Sequence, residues 1–324
     1  MTNHRNIGAY CCFFSLLLSF VYGISDSPSK RGLASNGDDH DSDTQLLVSE
    51  NSTISWYYTW SLWPSELING SIPFVPLIHG LDDASDSDLV SRLDDLPASS
   101  TRLLTFNEPD GETDTGGSSI SAKDAAKSYM SHIAPLRDTT SSRSRTWNIS
   151  YPSVTGSTRG IDWLRSFNET CFDISDDGCP MDFVAVHWYG DYPGLESWLE
   201  TLQEFYNETN PDASYWITEM ALPQQDEEAT FSMMNNSLNY LDSLDYVEGY
   251  AWFGAFRADE ANDWTGDSVS LLDDDGELTK IGALYLGGEE RGFEEGSSSS
   301  GGLHYSPSCT LILSLLVFTV GLIL

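Results

Sequence analysis

Two glutamates close short apolar runs, each in aromatic company. Glu108 ends Leu103-Leu104-Thr105-Phe106-Asn107-Glu108, and Glu219 ends Tyr215-Trp216-Ile217-Thr218-Glu219. Two facing carboxylates can break a glycosidic bond, one protonated to supply the leaving oxygen and one ionised to attack the anomeric carbon. Asn107, directly before the first glutamate, suits a hydrogen bond to a sugar 2-hydroxyl. His187 suits a role in orienting Glu219 or holding a substrate hydroxyl. Tyr58, Trp60, Trp188, Tyr189 and Trp252 offer flat apolar faces to the C–H faces of a sugar ring. The other common chemistries lack their signatures. There is no His-Glu-x-x-His, no pair of histidines at ligand spacing, no Gly-x-Ser-x-Gly elbow and no glycine-rich phosphate loop. Neither a metal nor a cofactor is expected.

Something must bring these residues together. Eight short segments rich in aliphatic, β-branched and aromatic residues predict strands: Gly32–Asn36, Ile54–Trp60, Phe74–His79, Arg102–Glu108, Thr146–Tyr151, Asp182–Tyr189, Tyr215–Met220 and Gly249–Phe253. Between them, helical spacing predicts helices over Asp88–Leu96, Ser121–Arg137, Gly160–Asn168, Leu195–Glu208 and Asp226–Leu244. Ser121 followed by Asp124 has the form of an N-terminal capping box. Alternating strands and helices point to an α/β fold, a single (β/α)8 TIM barrel, whose chemistry sits at the C-terminal ends of its strands. Glu108 and Glu219 fall on the fourth and seventh strands, so they face each other across the barrel mouth. Low complexity is confined to acidic Asp38–Asp43 and to a Ser/Gly run near the end.

The ends carry addresses. Residues 1–23 read as a signal peptide: His4 and Arg5, an apolar run from Ala9 to Val21, then Val21-Tyr22-Gly23. Residues 24–29 form a short leader, and 30–288 the catalytic domain. Lys30-Arg31 also has the form of a dibasic processing site. Residues 289–302 form a Ser/Gly-rich linker with an attachment region at Ser299 and Ser300. Residues 303–324, a polar spacer and apolar tail, complete the signal for a GPI anchor. The mature chain is then expected at the cell surface, held to the plasma membrane or the wall.

Of five cysteines, Cys11 and Cys12 leave with the signal and Cys309 with the tail. Cys171 and Cys179 remain as a pair on an oxidising route, where a bridge would contribute about 2–3 kcal/mol. Asn51, Asn69, Asn148, Asn168, Asn207 and Asn235 head N-glycosylation sequons. The net charge of -35 repels phosphate backbones, so no nucleic-acid partner is expected. Removing both signals leaves roughly 270 residues, enough for one barrel, and a monomer is expected.

In its ordered motifs the chain resembles glycoside hydrolase family 128, the glycosyl hydrolases related to the alkali-sensitive linkage protein. These motifs are Ser55-Trp56-Tyr57-Tyr58-Thr59-Trp60, Phe74-Val75-Pro76-Leu77, Phe106-Asn107-Glu108-Pro109-Asp110, Asp162-Trp163-Leu164, Asp182-Phe183-Val184-Ala185-Val186-His187-Trp188-Tyr189-Gly190, Trp216-Ile217-Thr218-Glu219 and Tyr250-Ala251-Trp252-Phe253-Gly254-Ala255-Phe256. The resemblance implies a retaining endo-β-1,3-glucanase of the cell wall, with Glu108 as acid/base and Glu219 as nucleophile. Wall glucan is then the partner. Transglycosylation and non-catalytic glucan binding are the alternatives it leaves open. Ser35 and Met220 depart from the family pattern and are expected to alter glucan subsites, while acidic Asp82–Ser91 leaves the loops around the cleft undefined.

Overall fold

A computed structural model describes residues 29–35, 40–68, 70–138, 145–207 and 209–299. Eight strands are present: β1 Arg31–Ala34, β2 Trp56–Tyr58, β3 Leu77–Ile78, β4 Arg102–Asn107, β5 Asn148–Ser153, β6 Phe183–Tyr189, β7 Ser214–Ala221 and β8 Val247–Trp252. They pair in parallel in the order β2-β1-β8-β7-β6-β5-β4-β3. The seam between β2 and β3 is spanned by backbone bonds, Tyr57 N–H to the Pro73 carbonyl at 3.1 Å and Val75 N–H to the Tyr57 carbonyl at 2.9 Å. The result is a nearly closed (β/α)8 barrel.

Its helices are α1 Asp41–Leu47, α2 Leu81–Ser85, α3 Leu89–Asp95, α4 Ala122–Ser128, α5 Thr158–Ile174, α6 Tyr192–Tyr206, α7 Glu227–Ser243 and α8 Lys280–Leu286. Short polar side chains start most of them. Ser121, Ser157, Asp191, Asp226 and Thr279 each accept a backbone N–H three residues on. The Ser121–Asp124 pairing is thus present as expected.

Several elements differ from the sequence reading. The helix expected over Ser121–Arg137 stops at Ser128, continues as a π turn over Tyr129–Ile133 and ends as a 3-10 turn over Ala134–Arg137. Pro135 has no N–H to give the turn before it, so the i to i−4 ladder is rewound there. Part of the acidic run read as low complexity is α1, which buries Leu46 and Leu47. Asp43 of α1 pairs with Arg257, and its first-turn acids suit the helix dipole. The stretch Asp82–Ser91 contributes to α2 and α3, and Asp83 accepts from the His79 N–H at 3.0 Å. Lys30-Arg31 is built into the fold. Lys30 Nζ donates to the Leu241, Asp242 and Leu244 carbonyls, and Arg31 Nη1 to those of Leu284 and Tyr285. Ordered packing also runs beyond 288, since Phe293 is fully buried in the main core.

Two apolar layers divide the strand residues. Ala34, Trp56, Tyr58, Val75, Leu77, Leu104, Phe183, Ala185, Trp216 and Ala251 fill the barrel interior. Their alternate neighbours, such as Tyr57, Leu103, Val184, Ile217 and Trp252, pack outward against the helices. Trp56 and Trp216, with ring centroids 4.6 Å apart, seal the floor. Gly32 makes room for this plug, since a Cβ there would lie 2.1 Å from the Trp56 ring. Gly32→Ala is therefore expected to lower stability by about 1–3 kcal/mol, measured as a shift in denaturation midpoint.

Cys171 and Cys179 form a disulfide. Among the sequon asparagines, Asn148 and Asn207 are exposed and Asn51, Asn168 and Asn235 half-buried, while Asn69 lies outside the described residues. Ser299 is exposed; residues 1–28 and 300–324, including Ser300, lie outside the description. Among the described residues no helix is long and apolar enough to cross a membrane. Ser29 lies at the floor, ahead of β1. The far end returns to the opposite face, where Leu278 N–H donates to the Ser297 carbonyl at 2.8 Å.

Candidate active site

A period of two does not by itself deliver Glu219 to the barrel mouth. Trp216 points inward and Ile217 outward, so strict alternation would turn residue 219 toward the helices. The register corrects this. Val186 pairs with Ile217 but His187 pairs with Glu219, and Ile217 pairs with Tyr250 while Met220 pairs with Trp252. Both neighbours therefore see one extra residue on β7. This bulge returns Glu219 to the interior face and sends Met220 outward. Met220 is fully buried in the helix-facing layer, so it forms no glucan subsite. Ser35 is buried just past β1, its N–H on the Tyr58 carbonyl at 3.1 Å.

On the opposite wall, the β4–β5 register shifts twice between Leu103 and Asn107. Phe106 and Glu108 take φ of 40° and 38°, a left-handed conformation uncommon for residues with a Cβ. Such strain clusters where a fold must aim a side chain. The Glu108 carbonyl accepts from Gly111 N–H at 2.8 Å, and a Cβ on Gly117 would lie 2.8 Å from that carbonyl oxygen. The loop can close under Glu108 because position 117 has no side chain.

The two carboxylates meet around one imidazole. His187 Nδ1 lies 2.8 Å from Glu108 Oε1 and 3.5 Å from Glu219 Oε2. One ligand atom from each of the three residues can be chosen so that all lie within 4.8 Å of one another. His187 was expected to orient Glu219 or to hold a substrate hydroxyl; its shorter bond is to Glu108. Glu219 is held instead by three other donors. Trp60 Nε1 donates to Oε1 at 2.7 Å, Tyr58 OH reaches the same oxygen at 3.1 Å, and Tyr189 OH donates to Oε2 at 2.5 Å. Glu219 is 5 % exposed, yet both its oxygens are satisfied. Burial, then the Glu219 charge and hydrogen bond, hold the Tyr58 and Tyr189 phenols well above their usual range, so both remain donors. A metal ion could use the same three ligand atoms, but at Glu219 it would compete with donors already in place.

Burial of His187 works to lower its pKa, but the Glu219 charge and the Glu108 hydrogen bond outweigh it and the pKa is raised. Protonation of His187 thus favours the folded state. That contribution is full below the unfolded value of about 6.5 and is lost as pH rises through the folded value. In His187→Gln the fall of melting temperature across this upper window should flatten, which a pH series of thermal unfolding measures.

The remaining expected site residues divide by facing. Tyr58, Trp60, His187 and Tyr189 converge on the carboxylates. Asn107 Nδ2 donates to the Gly116 carbonyl at 3.0 Å, and its buried Oδ1 has no partner among the described residues. Trp188 and Trp252 do not converge. On β6, Val184 and Val186 face outward, and Trp188 follows them in phase. Its indole packs beside Gly190 and Gly194, with Nε1 on the Asp191 carbonyl at 3.0 Å. Trp252 is fully buried against the helices, with Nε1 on the Val269 carbonyl at 2.8 Å. The aromatic that reaches the cleft from this wall is its neighbour Phe253, just past β8, edge-on to Trp60 at 5.9 Å and to Tyr189 at 5.8 Å.

Two further residues escaped the motif reading of roles. Asp110, 1 % exposed at its side chain, accepts from Thr155 N–H at 2.9 Å and ties the loop after Glu108 to the turn that follows β5. Trp264 stands edge-on to Tyr189, with centroids 4.7 Å apart. Asp110 could have been found from its place in Asn-Glu-Pro-Asp; Trp264 lies in an irregular loop with no periodic signal.

Residues 32–285 match the family model described as glycosyl hydrolase catalytic core. The chain is 30% identical over 245 residues to alkali-sensitive linkage protein 1 of Schizosaccharomyces pombe, covering 73% of this chain and 41% of that protein. It therefore spans about two fifths of that relative. Among solved structures it is similar to a curdlan-specific exo-β-1,3-glucanase from Blastomyces gilchristii, with 26% identity, TM-score 0.61 and coverage of 81% and 100%. An endo-β-1,3-glucanase from Sorangium cellulosum gives 26% identity, TM-score 0.61 and coverage of 80% and 98%. An oligosaccharide-binding protein from Cryptococcus neoformans shares the fold at 23% identity, TM-score 0.59 and coverage of 80% and 93%.

Proposed function

The chain belongs to the glycosyl hydrolase catalytic core family, within glycoside hydrolase family 128, and from this we propose that it is a retaining endo-β-1,3-glucanase. The observation that carries the mechanism is the carboxylate pair, with oxygens of Glu108 and Glu219 within 4.8 Å of each other. Retaining glycosidases hold their carboxyl groups about 5–5.5 Å apart, whereas inverting ones leave room for a water between them.

The roles follow from the surroundings. Glu219, its two oxygens fixed by two phenols and an indole, is the nucleophile, because a carboxylate held in one place is preorganised to attack the anomeric carbon. Glu108 is the acid/base. Its side chain is the more exposed of the two, and one donor, His187 Nδ1 at 2.8 Å from Oε1, touches it where Glu219 is held by three. Glu108 protonates the leaving oxygen while Glu219 bonds to the anomeric carbon. In the second step Glu108 takes a proton from water, which displaces Glu219 and restores the resting pair.

A glucan substrate is supported by the two β-1,3-glucanases of similar fold. One of them is an exo-enzyme, so internal cleavage is the finer part of the proposal. Time-resolved product analysis on laminarin tests it. Mixed oligosaccharides with the β-anomer first support the reading, glucose alone would make the enzyme exo-acting, and an α-anomer first would mean inversion. Products longer than a laminari-oligosaccharide substrate would show transfer to a second glucan. The similar oligosaccharide-binding protein favours a second reading, in which the cleft binds glucan and leaves it intact. Binding with no sugar released would establish it. Surface attachment through a GPI anchor is proposed from the terminal sequences, and a phosphatidylinositol-specific phospholipase should release the protein from membranes.

A further inference from the structure

Trp264 is 58% exposed, but the loop that carries it is clamped. Asn262 Oδ1 accepts from the Trp264 N–H at 3.0 Å, the Thr265 N–H at 2.8 Å and Thr265 Oγ1 at 3.1 Å. From the other side, Gln224 Nε2 donates to the Asp263 carbonyl at 2.8 Å and the Trp264 carbonyl at 3.2 Å. Gln224 does this from a left-handed backbone, with φ of 57°, and its own N–H donates to the Thr265 carbonyl at 2.9 Å. A strained residue and two sets of polar bonds therefore fix an indole that the fold leaves largely in water. Packing does not account for this, because exposed apolar surface adds nothing to stability.

The position of the ring gives the reason. Trp60, Phe253, Tyr189 and Trp264 form a row of edge-on contacts at 5.9, 5.8 and 4.7 Å. Trp60 and Tyr189 in this row donate to Glu219. Trp264 is the row's open end, one ring removed from the nucleophile. Trp63 is as exposed, but the Arg92 guanidinium lies 5.0 Å over its ring, so that ring already has a partner. A rigid indole beside a reaction centre is a preorganised surface for the C–H face of a pyranose, and it loses little entropy on binding.

We infer that Trp264 is a stacking platform for a glucosyl unit one place along the chain from the sugar at the carboxylate pair. This rests on the glucan reading above. It makes Trp264 a residue that selects for oligosaccharide length and does not act on the reacting bond.

The test compares wild type, Trp264→Phe and Trp264→Leu on laminari-oligosaccharides, with kcat and KM determined separately and binding followed by tryptophan fluorescence. Trp264→Leu keeps apolar character but has no flat face. It should raise KM by about tenfold and leave kcat within about twofold. Trp264→Phe should recover most of the loss. The fluorescence change on adding sugar should shrink in both variants, and melting temperatures should stay close to wild type. Equal KM values in the Leu and Phe variants would overturn the platform. So would a fall in kcat at unchanged KM, which would mean that Trp264 acts through Tyr189. If wild type neither cleaves nor binds these oligosaccharides, the glucan reading itself fails and this inference falls with it.

Discussion

Glu219→Ala is expected to abolish turnover of every substrate, by on the order of 10⁴-fold or more in kcat. No other carboxylate among the described residues joins Glu108 and His187 in that cluster, so nothing can take over the covalent step. An activated leaving group does not help, because the missing bond is the one to the anomeric carbon. The variant should still fold. Tyr58, Trp60 and Tyr189 lose their acceptor, but they border the open end of the barrel where water can replace it. Steady-state assays on laminarin and on an aryl β-laminaribioside, with a melting curve, measure all of this. Activity surviving on the aryl substrate would mean that the roles of the two glutamates are exchanged.

Glu108→Ala should separate the two half-reactions. Hydrolysis of glucan should fall by about 10²- to 10⁴-fold, since the leaving sugar needs a proton. An aryl substrate with a good leaving group needs none, so its first step should proceed at near wild-type rate and release a burst of phenol. The second step should be slow, because no base activates water. Azide, which attacks without a base, should speed that step and give a β-glycosyl azide. An α-azide, or no response to azide, would argue against a covalent intermediate on Glu219. Glu108 is also the hydrogen-bond partner of His187, so this variant should lose part of the pH dependence of stability assigned to that imidazole.

What the sequence makes legible follows from which forces are local. Strand positions for Glu108 and Glu219 could be read because aliphatic and β-branched runs ending in a carboxylate are local patterns. The capping of α4 by Ser121 is also local. Facing is less so. Trp188 and Trp252 stand beside cleft residues in sequence, but alternation turns them to the helix layer. For β6 that alternation is unbroken and could have been counted from Phe183. For β7 it could not, because the extra residue at the bulge shows only in pairing with β6 and β8. Counting by twos would have excluded Glu219. His187 lies beside both glutamates, and which of them it serves depends on side-chain geometry from three strands. Helix α1 was hidden because acidic residues dominate its start, and only tertiary burial of Leu46 and Leu47 explains its existence. Helix α8 gave too short a periodic signal, although Ile281, Tyr285 and Leu286 are all buried.

The two ends of the described chain lie on opposite faces of the barrel. Ser29 is below the tryptophan floor, whereas Ser297 is bonded to Leu278 on the face where the strands end. Orientation on a solid support is therefore a matter of which end is grafted. A bead or sensor chip coupled through the amino end meets a sealed floor and leaves the mouth facing bulk solution. Coupling through the carboxyl end brings the mouth toward the support, where a short soluble oligomer can still diffuse in but an insoluble particle is held off by the surface itself.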